Sequence, residues 1–129
     1  MADIPKDLKY TEDHEYVKDT KEAAVVVIGI TDYAQGELGD IVYLELPAVG
    51  ASFDAHDVFG TIEAVKAVSE LFAPVSGEIV EVNARLEKEP QLVNSAPYGD
   101  GWMVKVKLSD ASERESLMDA DAYSAHIGQ

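Results

Sequence analysis

Gly60-Thr61-Ile62-Glu63-Ala64-Val65-Lys66-Ala67-Val68-Ser69-Glu70-Leu71-Phe72-Ala73-Pro74-Val75-Ser76-Gly77 is the stretch on which the fold turns. On its N-terminal side Val58, Gly60 and Ile62 alternate with Phe59, Thr61 and Glu63. On its C-terminal side come Val68, Leu71, Phe72, Ala73 and Val75. Two β-type runs joined by a short connection predict a hairpin. Lys66 then stands at the tip, among the small residues Ala64, Val65 and Ala67. It is the only lysine or arginine between Lys21 and Arg85, in an interval rich in carboxylates. A side chain at a hairpin tip is open to other proteins. The ordinary use of such a lysine is to keep a turn in water; its isolation and its small neighbours point to a special one.

Composition bounds the rest. The 129 residues suit one domain with one core, and 47% of them are hydrophobic, which marks a folded chain and not a disordered acidic one. A formal charge of −15 repels phosphate backbones and argues against nucleic acid as a partner. It favours proteins with basic patches, with a pull that salt weakens. With no cysteine, the chain has no disulfide, no thiolate metal site and no cysteine nucleophile, so any thiol chemistry needs an attached group. His14, His56 and His126 lie far apart and show no zinc spacing, so no metal site is expected. No apolar run has the length of a membrane span, and no membrane partner is expected. The start at Met1, with a mixed and acidic N-terminus, reads as cytoplasmic; a processed mitochondrial form with an added Met would look the same.

Outward from the hairpin, residues 1–9 read as a loose lead-in. Tyr10–Val17 and Ala23–Ile30 read as strands around a turn at Asp19–Glu22. Thr31 is placed to cap a helix over Asp32–Leu38 that Gly39 ends. Asp40–Leu46 is a strand ended by Pro47, and Gly50 marks a turn. After the turn at Pro74–Gly77, Glu78–Val82 is a strand. Asn83 caps a helix over Ala84–Glu89, stopped by Pro90. Asn94–Trp102 reads as a loop, with Tyr98 and Trp102 packing it down. Met103–Leu108 is a half-buried strand, and Asp110 with Glu113 forms a capping box for a C-terminal helical segment at about 110–127, broken near Asp119. Gly39-Asp40-Ile41-Val42-Tyr43-Leu44 is echoed by Gly77-Glu78-Ile79-Val80-Glu81-Val82. Two similar β units around the lysine tip predict a mainly β fold, a flattened barrel or sandwich hybrid with short helices.

The chain resembles the H proteins of the glycine cleavage system, which are lipoyl carriers, over nearly its whole length. The matching segments include His14-Glu15-Tyr16-Val17, Gly29–Gln35, Leu38–Val42, Glu63–Ala67, Pro74–Glu78 and Glu81-Val82-Asn83. Leu92-Val93-Asn94, Pro97-Tyr98, Gly101-Trp102 and Tyr123 follow in the family's order. The departures are Ala64, where the family usually has Ser, and Tyr16, where it often has Trp. By analogy, biotin carriers flank their lysine with methionines, and 2-oxoacid dehydrogenase lipoyl domains place Asp before it; Val65 and Ala67 are neither.

The resemblance implies a single lipoyl-carrier domain over residues 1–129, with lipoate joined to Lys66 as an amide. It also implies a cycle. A pyridoxal-phosphate glycine decarboxylase (P protein) loads an aminomethyl group, and an aminomethyltransferase (T protein) removes it. Dihydrolipoyl dehydrogenase (L protein) restores the disulfide. The carrier itself is not an enzyme. Lipoate-attaching enzymes are further partners. The residues matching the family's arm cleft are Asp13, Glu15, Ile30, Leu38 and Glu70, the carboxylates to hold a protonated amine and the apolar pair to cover the arm. Two other uses of the hairpin stay open: a relay of lipoate to 2-oxoacid dehydrogenases, and an interaction module that never carries a cofactor.

Overall fold

The apolar–polar alternation along the chain resolves into nine strands and three short α-helices in a computed structural model that describes residues 2–129. In order they are β1 (Lys9–Tyr10), β2 (Glu15–Asp19), β3 (Val25–Ile30), α1 (Asp32–Leu38), β4 (Ile41–Glu45) and β5 (Ser52–Phe53). There follow β6 (Val58–Ala64), β7 (Val68–Phe72), β8 (Gly77–Val82), α2 (Leu92–Ser95), β9 (Val104–Leu108) and α3 (Ala120–His126). Two sheets form, one of six strands ordered β1-β2-β3-β9-β8-β5 and one of three ordered β4-β6-β7. The fold is mainly β, as expected, but the flattened barrel stops short of closure and stays as two sheets. The echoed segments become β4 and β8, one in each sheet.

The inward faces of both sheets meet in one cluster that includes Ile28, Ile62, Leu71, Ile79, Leu86 and Met103. Removing each such side chain from water is worth about 1.5–3 kcal/mol. A second cluster joins the two ends of the chain through Leu8, Tyr10, Tyr16, Ala120 and Tyr123. The rings of Tyr10 and Tyr123 stack with centroids 4.7 Å apart. Tyr16 donates its hydroxyl to the Pro97 carbonyl at 2.6 Å, and its ring lies on Gly29, where any Cβ would come within 2.7 Å of it. Gly29 is therefore required by close approach.

Several sequence expectations change here. The start of the chain is not a loose lead-in. Leu8 is buried, and Tyr10 exchanges backbone hydrogen bonds with Met118 at 2.8 and 2.9 Å. Tyr10–Val17 is not one strand. His14 takes a left-handed φ of 68° and the chain doubles back, pairing Tyr10 with Tyr16. Residues Ala84–Glu87 form a 3-10 turn and not an α-helix, with Asn83 accepting from the Arg85 amide. The buried Asn83 amide donates to the Asp100 and Trp102 carbonyls, stapling the following loop. Within that loop, α2 runs into Asn94 and Ser95. Asp110 does cap a turn, the 3-10 segment Ala111–Ser116, but Glu113 does not complete a capping box. Its carboxylate accepts from the Ser76 amide at 2.7 Å and the Ser76 hydroxyl at 2.9 Å. The C-terminal helical segment is accordingly divided, and Asp119 caps α3.

Candidate functional site

β6 and β7 pair from Val58↔Phe72 to Glu63↔Val68, and the Ala64 amide closes the turn on the Ala67 carbonyl at 2.7 Å. Val65 and Lys66 form the tip. Two-residue hairpin loops commonly use left-handed residues, yet His14 and His56 are the only non-glycine residues with positive φ among those described. The tip takes its support from outside the hairpin. The Val65 amide donates to the Asp40 carbonyl at 3.0 Å, and Ile41 pairs with Ala64.

The corner 39–41 is itself clamped. Gly39 ends α1 with φ 80°, its amide donating to the Gln35 carbonyl at 2.9 Å. Asn94 reaches in from α2. Its amide nitrogen donates to the Gly39 carbonyl at 2.9 Å and to Gln35 Oε1 at 3.0 Å, and its oxygen accepts from the Ile41 amide at 2.9 Å. The Lys66 stem lies along this corner. A Cβ on Gly39 would sit 3.3 Å from Lys66 Cε. Gly39→Ala is expected to cost about 1–2 kcal/mol through the left-handed backbone. The lysine stem can swing aside, so thermal unfolding should show the loss and the hairpin should persist.

Lys66 is exposed and makes no ion pair among the described residues; the bridges found there use Arg85, Lys105 and Arg114. Its amine is thus unencumbered. Val65 beside it is 75% exposed. An amine with no salt bridge, on a braced tip between residues too small to cover it, fits acylation by a carboxylic acid cofactor.

Four of the other expected site residues fall into two groups at the ends of α1, a helix about 10 Å long, and the fifth is on β7. Leu38, half-buried, adjoins the Gly39 corner and the tip. At the far end Glu15 pairs with Ile30, which is buried, and exposed Asp13 lies in the turn just before. Glu70 is exposed on β7, opposite Thr61.

Glu15, expected as one of the cleft carboxylates, is buried. It is 2% exposed, and its two oxygens accept from the Phe72 amide at 3.1 Å and the Thr11 hydroxyl at 3.2 Å. Burial, reinforced by nearby Asp13, pushes its pKa up to about 8 against the pull of those two hydrogen bonds. It bonds the free edge of β7 to β2, and so ties one sheet to the other without a strand between them.

Sequence reasoning missed the group that fixes this end. The Tyr123 hydroxyl lies 2.8 Å from Thr31 Oγ1 and 2.9 Å from His14 Nδ1. The His14 pKa is lowered, chiefly by burial and then by His126, against the opposite pull of Asp13 and Glu37. Thr31 caps α1 while its hydroxyl is engaged in this way. Asn94 was visible only as part of a matching segment; its clamping role had no signal in the pattern.

The sequence pattern of the family described as Glycine cleavage H-protein matches residues 8–129. The chain belongs to the glycine cleavage H-protein family. A glycine cleavage system H protein of Bacillus cereus (strain B4264) is 56% identical over 126 residues, covering 98% of each chain. One from Prosthecochloris aestuarii is also 56% identical over the same shares. The crystal structure of a glycine cleavage system H protein from Mycobacterium marinum superposes with a TM-score of 0.89 at 38% identity. That match covers 98% of this chain and 100% of the other. The family is a carrier component of the glycine cleavage system, which suits a chain that presents one amine on a braced hairpin tip. Among the described residues no helix is long and apolar enough to cross a membrane.

Proposed function

We propose that Lys66 carries lipoate as an amide and that the chain is the non-catalytic shuttle of glycine cleavage. It takes an aminomethyl group from the glycine decarboxylase (P protein) to the aminomethyltransferase (T protein), and dihydrolipoyl dehydrogenase (L protein) then reoxidises it. The observation that carries this is the exposed amine of Lys66, free of ion pairs among the described residues, on a tip braced from Asp40, in a chain of this family. When bound, lipoate supplies a strained disulfide on a long arm, the sulfur chemistry a protein without cysteine lacks.

The chain's own residues present the arm and hold it. Gly39 leaves room for the lysine stem, and Asn94 fixes the corner beneath it. Leu38 and Ile30, at the two ends of α1, would give the arm's hydrocarbon an apolar cover that limits access of water. Asp13 and Glu70 offer negative charge to a protonated amine, while Glu15, whose two oxygens already accept from the Phe72 amide and the Thr11 hydroxyl, ties β2 to β7. Reconstitution tests the reading. Purified P, T and L proteins with glycine, tetrahydrofolate and NAD should form NADH only when the lipoylated chain is added. Absence of NADH with fully lipoylated protein contradicts it.

A further inference from the structure

Apart from Glu70, the outer face of the three-stranded sheet is not used by any step above. Across it the registers align Tyr43, Glu63 and Val68 in one row and Glu45, Thr61 and Glu70 in the next. Tyr43 is 52% exposed and Val68 66%, and the neighbouring Val42 and Val65 are 51% and 75% exposed. Val65 is part of the lysine tip, Val68 opens the strand that leaves it, and Tyr43 shares a row with Val68. A cluster of this kind on a soluble protein marks an interaction surface.

The second feature is charge. Glu45, Glu63 and Glu70 stand beside the apolar cluster, and none has an ion-pair partner among the described residues. Apart from Lys66, no lysine or arginine occurs between Lys21 and Arg85, so nothing on this sheet neutralises them. A second copy of the chain laid face to face would bring carboxylates against carboxylates, which costs free energy. Anionic lipid and nucleic acid are repelled for the same reason. What fits is an apolar contact ringed by lysine and arginine.

We infer that this face is a docking surface for the enzymes that take the arm, seating Tyr43 and Val68 in an apolar contact while basic groups of the enzyme meet Glu45, Glu63 and Glu70. The inference rests on the carrier reading, but the contact belongs to the protein surface and does not require the arm. Docking there holds Lys66 at the edge of the interface, so the arm enters the enzyme while the sheet stays outside. The acids raise the rate of encounter and the apolar centre supplies affinity, the usual division between rim and centre.

The test uses the full chain with Lys66→Arg, which cannot be acylated, titrated calorimetrically into the cognate glycine decarboxylase at low and high salt. The parent variant should bind, and more weakly as salt rises. Adding Tyr43→Ser with Val68→Ser should weaken binding by about tenfold or more. Adding Glu45→Gln, Glu63→Gln and Glu70→Gln should weaken it at low salt and flatten the salt dependence. Adding Val49→Ser with Val80→Ser, exposed valines away from this face, should change nothing. Circular dichroism of each variant separates misfolding from lost contact, and the glutamine set tests the face without touching its apolar residues. Lipoylation of the unsubstituted chain is read separately by mass, so a failure of the carrier reading is distinguishable. Binding that survives both sets of substitutions, a parent that does not bind, or self-association through this face would overturn the inference.

Discussion

Lys66→Arg should take glycine-dependent NADH formation to background and abolish lipoyl attachment, while thermal unfolding should stay within about 0.5 kcal/mol of the parent. Arginine keeps the charge and much of the stem, so solubility and the local surface are preserved. It should fail because a guanidinium stays protonated and presents no free amine to an activated acid. The stability expectation follows from the surroundings. Lys66 is exposed, and the tip is held by backbone bonds from Ala64 and Val65 that arginine leaves in place. A large fall in Tm would mean that the side chain supports the fold, contrary to this account.

The second large effect is at Glu15. Its folded pKa of about 8 lies above the ordinary glutamate value of 4.5, so the folded state binds the proton more tightly than the unfolded chain does. The sign follows. Below about pH 4.5 the acid is protonated in both states and the stabilisation is fully present. Between 4.5 and 8 the unfolded chain ionises first, and stability falls as pH rises. Above 8 the loss is complete. Glutamine keeps the shape and the bonding, its oxygen accepting from the Phe72 amide and its amide donating to Thr11 Oγ1. Glu15→Gln should therefore gain on the parent across this window, by an amount on the order of a few kcal/mol at its alkaline end. Denaturant titrations of both proteins at intervals from pH 5 to pH 9 measure it. A constant difference would mean that Glu15 ionises in place and that its burial does not raise its pKa.

The hairpin and its lysine were legible because both signals are local. Alternation over Val58–Glu63, apolar residues from Val68, and a single cation between small residues need no partner to be read. The Thr31 cap and the Gly39 stop were legible for the same reason, and α1 spans Asp32–Leu38 as its caps dictate. What escaped was long-range. The chain start is tied down by Met118 and Tyr123, on the far side of the sequence. Glu113 carries a capping-box spacing, yet Ser76 offers it two donors across 37 residues and wins it from Asp110. Glu15 carries no local sign of its burial, where it accepts from the Phe72 amide at the edge of β7, 57 residues away. Asn94 shows the same limit. Its side chain joins Gly39 and Ile41, which lie 55 and 53 residues away, and its local context gives only a loop. β5 is two residues long and is defined by its partner β8 alone.

The most direct measurement is intact mass followed by peptide mapping of the wild-type chain, after expression with lipoate and a lipoate-attaching enzyme. The account predicts a gain of one lipoyl amide, located on the peptide that contains Lys66. An unchanged mass, or the same gain on any other lysine, would contradict it.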